Sequence, residues 1–205
     1  MRAVLLTTFV LAGLVAVPAS QAQRDDRPTE STERAFTAGG LVAFDLVAGD
    51  YRITGSPDER IHVAWRTRDR NDDEIDALVA IDVMGSEATV TVERTKVFGN
   101  LGVDVDIQVP SRSDLDVALS AGELSIAGIT GNKAITMNAG EIDVDVGRVA
   151  DYGLVSASVW AGELQARPFG QNKEGLFRSF NWTGEGPYRI QASLKAGEMT
   201  FREPR

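Results

Sequence analysis

Five carboxylates stand in one recurring context. Asp50, Glu123, Glu141, Glu163 and Glu198 each follow an Ala-Gly pair and precede an apolar residue: Tyr51, Leu124, Ile142, Leu164 and Met199. If equivalent copies stack, these acids form a column. A column of hard oxygen donors is one way to hold Ca²⁺, which takes several such ligands at about 2.3–2.6 Å. Dedicated Ca²⁺ loops, however, bring several Asp and Asn residues together within one short segment, and each of these corners brings one acid. The pattern therefore favours carboxylates that cap backbone N–H groups or face water, and no metal or other cofactor is expected.

Other residues capable of chemistry are isolated. His62 is the one histidine, and it alternates with Ile61 and Val63 on the outward side of a strand pattern. A catalytic histidine needs a nucleophile and an orienting group, and no motif supplies them. Phosphate-binding glycine motifs and Gly-x-Ser-x-Gly are absent. Asp104/Asp106 and Asp143/Asp145 are spaced as on an outward strand face, which suits solvated surface better than a glycosidase cleft. No catalytic residue is assigned. Phe177, Phe180, Trp182 and Tyr188 cluster around Gly184-Glu185-Gly186-Pro187. They read first as a cap over the end of a stack. Trp160 and Trp182 are the candidates for a partner-binding aromatic platform, for a glycan or a protein.

The elements that carry these residues are read from the glycine outward. Five residues before it stand Phe44, Val117, Ile135, Ala157 and Ala192; three before stand Leu46, Leu119, Met137, Val159 and Leu194. Two after it stand the apolar residues named above, and four after stand Ile53, Ile126, Val144, Ala166 and Phe201. Strand side chains alternate with period two, so apolar positions that are odd before the glycine and even after it demand a change of phase. Gly49, Gly122, Gly140, Gly162 and Gly197 are the expected structural corners, because glycine accepts positive φ. The preceding Ala would be the small residue inside the corner. Two short strands per copy, paired with those of the next copy, give an all-β, single-domain, β-solenoid-like stack of coils with Gly-acid corners. An antiparallel sandwich of hairpins is the rival. The corner glycines are spaced by 18, 22 and 35 residues from Gly122 onward, so the last gap hides a coil or holds an insertion.

Upstream of the repeats, Leu41–Ala48, Tyr51–Ile53, Ile61–Trp65 and Val103–Val109 alternate as strands. Val79–Val83 and Ala88–Val92 form a hairpin about Gly85-Ser86. One short helix, capped by Asn71 or Asp72 and carrying Ile75, Leu78 and Val79, fits between them.

The totals fix the setting. The chain of 205 residues has no cysteine and a net charge of −9, which excludes disulfides and thiolate sites and disfavours nucleic acid. Residues 1–22 have a signal-peptide plan: Arg2, an apolar run from Ala3 to Val17, Pro18, and Ser20-Gln21-Ala22 as a small-x-small cleavage site. Cleavage there removes one arginine and leaves no membrane span. Residues 23–35 read as a flexible leader and residues 36–205 as one domain.

The copies together resemble the extracytoplasmic DUF4097 family, also called the "putative adhesin" domain. The resemblance rests on Val109-Pro110, then Leu115–Leu124 running into its Gly-acid corner, then the copies at Gly140, Gly162 and Gly197. It covers residues 41–203. It implies a right-handed β-solenoid-like fold and an exported protein, periplasmic, secreted or at the cell surface, and it carries over no catalytic residues. The expected function is a non-enzymatic, adhesin-like protein presenting a binding surface to an envelope or surface partner. The alternatives are a scaffolding periplasmic module of envelope signalling and, more remotely, an enzyme acting on polysaccharide.

Overall fold

The computed structural model describes residues 29–67, 77–94 and 103–204. The expected signal peptide, the first part of the leader, the expected helix start with Ile75, and the loop at residues 96–102 lie outside them. The described residues form one twelve-stranded sheet that does not close. In chain order the strands are β1 (Glu30–Ala35), β2 (Leu41–Leu46), β3 (Gly49–Ser56), β4 (Arg60–Thr67), β5 (Ala77–Met84), β6 (Glu87–Arg94), β7 (Val103–Pro110), β8 (Asp114–Ala127), β9 (Lys133–Asp145), β10 (Tyr152–Ala166), β11 (Gln171–Thr183) and β12 (Tyr188–Arg202). Leu78 and Val79, expected on the helix, lie in β5. There they pair with Glu93 and Val92 of β6 across the Gly85-Ser86 turn.

The long strands β8, β9, β12 and β10 each pass through a corner glycine, which divides the sheet into two arms. In the first arm β5, β6 and β2 lead to the N-terminal halves of the long strands. In the second arm β1, β4, β7 and β3 lead to their C-terminal halves. Both arms face a single hydrophobic cluster. The expected phase holds throughout. All ten residues three and five before the glycines are buried, and so are all ten residues two and four after them. The ladder skips one residue at each bend, at Ser120, Asn138, Lys195 and Trp160, two before the glycine. That skip is the physical form of the phase change.

The glycines themselves stack in one row, Gly49–Gly122–Gly140–Gly197–Gly162. The four after Gly49 have φ between 125° and 138°. A Cβ on any of these four would overlap the carbonyl oxygen of its neighbour in the row. Glycine is therefore required twice, by backbone conformation and by the close approach of the next strand. The preceding alanine differs from expectation. Ala139 and Ala196 are exposed and Ala48, Ala121 and Ala161 half-buried, because the inward phase ends three residues before the glycine and the bend carries the alanine outward.

The parallel pairing of equivalent copies holds, but the stack is not built in sequence order. β12 enters between β9 and β10, pairing in parallel with both. A coil-after-coil solenoid is therefore not what forms beyond β9. The 35-residue gap contains β11, which runs antiparallel to β10 with Gly175 opposite Gly162 and Glu174 opposite Glu163. The hidden copy is written backwards, as Glu174-Gly175-Leu176, because an antiparallel strand meets the crease from the other side.

Residues 30–35, which composition assigns to the leader, form β1 along β4. An edge strand held by its backbone can keep polar side chains in water, and five of its six residues are exposed.

Among the described residues two polar side chains are buried, Ser113 and the charged Lys133. Lys133 occupies an inward position beside Leu115 and Ile190. Its Nζ donates to the carbonyl oxygens of Ile129 (2.9 Å) and Gly131 (3.2 Å) and to Tyr152 Oη (2.8 Å). Burial draws the Lys133 pKa down to about 8, against the pull of Asp114, Asp145 and Asp151. Burial pushes the Tyr152 phenol above its ordinary value. The cost of holding charged Lys133 is fully present below pH 8. It is relieved as the pH rises toward 10.5, because there the unfolded chain still binds a proton that the folded chain has released. Above about pH 10 Tyr152 works in the opposite sense, since the unfolded phenol ionises first. In urea melts from pH 7 to 10, the stability of the wild type relative to Lys133→Met is expected to rise by roughly 2–3 kcal/mol. A difference flat with pH would refute this linkage.

Candidate functional site

The five corner acids do align. The registers place Asp104, Asp50, Glu123, Glu141, Glu198, Glu163 and Glu174 in one row across the second arm. Strand spacing sets neighbouring residues of such a row ~4.8 Å apart, so the carboxylates form a line, not a cage. Among the described residues no group of three acids or histidines is arranged to hold a metal ion. Partners for the acids come from side chains along the same face. Gln165 donates to Glu163 (2.7 Å) and Glu198 (3.2 Å), and Thr200 donates to Glu198 (3.3 Å). Arg66 pairs with Asp104 at 3.3 Å and Arg202 with Asp143 at 2.7 Å. Partly exposed pairs of this kind contribute about 0–1 kcal/mol each. A groove of about 360 Å³ runs over this face, lined by Asp50, Arg52, Asp106, Glu123 and Glu141 among others. Added Ca²⁺ is expected to leave the thermal midpoint unchanged; a rise that saturates with Ca²⁺ would assign the row a metal.

His62, on β4, has Glu33 and Gln108 as its register neighbours. Asp104 and Asp106 lie on β7, and Asp143 and Asp145 on β9, so the two pairs stand on strands separated by β3 and β8.

The aromatic residues divide into two groups. Phe180 and Trp182, on β11, pack around Phe169 of the 3₁₀ turn Arg167–Phe169, with ring centroids at 6.1 and 5.1 Å. Phe201 of β12 closes the group at 6.2 Å from Phe169 and 6.0 Å from Phe180. This cluster covers the end of the core. Trp182, offered by the sequence as a platform residue, belongs to it. Tyr188 also packs against the core as a partly buried residue.

Trp160 and Phe177 form the second group. They flank the crease on neighbouring strands β10 and β11, ring centroids 5.7 Å apart and edge to face. Trp160 is 58% exposed, Leu176 61% and Phe177 70%. Phe177 sits at the bend of β11 with φ of 54°. Sequence reading paired Phe177 with the cap, because its register is visible only once Gly175 is set opposite Gly162. Beside Trp160 lies a groove of about 280 Å³. Its floor is a row of three hydroxyls, Ser193–Ser158–Ser179, one from each of three adjacent strands. Lys195 stands at its side, whereas Arg178, also on its lining, pairs with inward Val159, so its side chain leaves β11 on the core face. None of these five residues stood out in the sequence, since single serines and surface cations carry no signal without the register.

The fold has a solved counterpart. A putative cell adhesion protein from Clostridium sporogenes superposes with a TM-score of 0.57 at 12% identity, covering 86% of this chain and 100% of that one. The likeness is one of fold. A putative adhesin from Parabacteroides merdae aligns over 88% of this chain and 93% of its own, with a TM-score of 0.30 and 12% identity. The chain matches no family model and no curated protein sequence. Among the described residues no helix is long and apolar enough to cross a membrane.

Proposed function

We propose that this chain is a non-enzymatic exported protein whose creased sheet presents a binding surface, adhesin-like in role, to a partner on the cell envelope or surface. The observation that carries the reading is the exposed ledge of Trp160 and Phe177 in edge-to-face contact, with exposed Leu176 next to Phe177 in the chain. Most large apolar side chains of the described residues lie in one core, and a contiguous apolar patch kept in water marks an interaction site. Aromatic side chains supply large contact area at low entropic cost, which is why they dominate the centres of interfaces. The ledge sits on paired strands, a rigid support that preorganises it. The fold shared with a protein described as a putative cell adhesion protein agrees with the reading, as does the signal-peptide plan of residues 1–22.

Fractionation of cells making a C-terminally tagged copy, followed by crosslinking, tests this. The expected result is recovery outside the cytoplasm, crosslinked to an envelope component, with yield lowered by Trp160→Ala. Recovery only as a free, uncrosslinked monomer contradicts it.

A further inference from the structure

The groove beside Trp160 differs in charge from the rest of the molecule. The chain carries a net charge of −9, yet the lining of the groove includes no acid, and Lys195 stands on its serine face. Neither Lys195 nor Arg178 takes part in an ion pair among the described residues. The carboxylate row starts three residues further along each strand, past the bend, and belongs to the second arm.

We propose that this groove binds an acidic glycan, one unit of a polymer carrying sugar carboxylates. The inference rests on the binding-surface reading above and names its ligand class. Two parallel rows of side chains define the chemistry. The first row is Ser193–Ser158–Ser179; the second, two residues nearer the crease, brings Lys195 and Trp160 alongside Phe177. An exposed indole offers a flat apolar face for the C–H side of a sugar ring, as it does for other ring stacking. Serine hydroxyls, which both donate and accept, suit the hydroxyls of that ring. Lys195 then meets a carboxylate with a charge-assisted hydrogen bond, the stronger kind. A neutral sugar would leave this cation unused. At about 280 Å³ the groove is smaller than the ~300–1,000 Å³ pockets that enclose a free small molecule, so it suits one unit of a chain that continues along the first arm, away from the carboxylates.

The test is titration of the mature chain with a panel of uronate polymers (polygalacturonate, alginate and hyaluronate), methyl-esterified polygalacturonate and dextran, together with retention on an isolated cell-envelope fraction. At least one uronate polymer is expected to bind, with esterification weakening polygalacturonate at least tenfold if it is the one bound. Lys195→Gln is expected to weaken binding about tenfold and Trp160→Ala to abolish it, with unchanged thermal midpoints, since both positions are exposed. Equal binding of the esterified or neutral polymers, or full affinity in Lys195→Gln, overturns the acidic-glycan inference while leaving a Trp160-dependent surface. Retention on the envelope fraction without binding to any uronate polymer does the same. No binding to any polymer and none to the envelope overturns both readings.

Discussion

Gly140→Ala is expected to destabilise the protein by roughly 3–5 kcal/mol. Two costs combine. At φ of 127° a residue with a Cβ is strained by ~1–3 kcal/mol. The new methyl group also overlaps the Gly122 carbonyl and stands 2.7 Å from the Met137 methyl group, and overpacking of this kind costs ~1–3 kcal/mol more. Gly147→Ala separates the two. Gly147 has φ of 61° but open space around its Cβ position, so it should lose only about 1–2 kcal/mol. In thermal melts the first variant is expected to fall by roughly 10 °C and the second by a few degrees. Equal shifts would mean that the close approach of the glycine row contributes nothing.

Phe180→Ala should have a similarly large effect, about 3–5 kcal/mol in urea melts. Its ring is 5% exposed and contacts both Phe169 and Phe201, so truncation opens a cavity at the end of the core where the 3₁₀ turn Arg167–Phe169 and β11 meet and little can collapse to fill it. Phe177→Ala, three residues away on the same strand and 70% exposed, should cost about 0.5 kcal/mol or less. That contrast separates the cap from the ledge. If the two variants were equally destabilised, the exposed pair would be part of the cap after all.

The crease was legible in the sequence because it rests on a local rule. An apolar pattern that changes parity at a glycine can only bend there, and the twenty inward positions around the five glycines followed from parity alone. Parallel pairing followed from one motif recurring in one phase. Strand order did not, because the registers of β12 against β9 and against β10 are equally good by sequence: all three carry the same motif. In the fold β11 turns back along one side of β10, and β12 then pairs with the other side and with β9. The reversed motif of β11 was hidden for the same reason, since a search for Ala-Gly-acid does not see Glu174-Gly175-Leu176. Polar β1 was invisible to a hydrophobic period, as its contribution is backbone hydrogen bonding to β4.

The candidate site was legible in one residue. Trp160 stood out as a large aromatic at an outward position. Its companions are set by cross-strand register over a separation of tens of residues: Phe177 by antiparallel pairing, Lys195 and Ser193 by the insertion of β12. The recurring acids, the most conspicuous feature of the sequence, follow from the corner geometry. Each copy repeats the corner, so each repeats the residue beside it, and the row they form is spread along the sheet from β7 to β11.

The measurement that bears most directly on this account is retention of the purified mature protein on an isolated cell-envelope fraction, wild type against the double variant Trp160→Ala/Phe177→Ala, with thermal melts of both. The predicted result is loss of retention in the double variant with a thermal midpoint within about 2–3 °C of wild type. Undiminished retention with the same midpoint would contradict the assignment of the ledge as the binding surface.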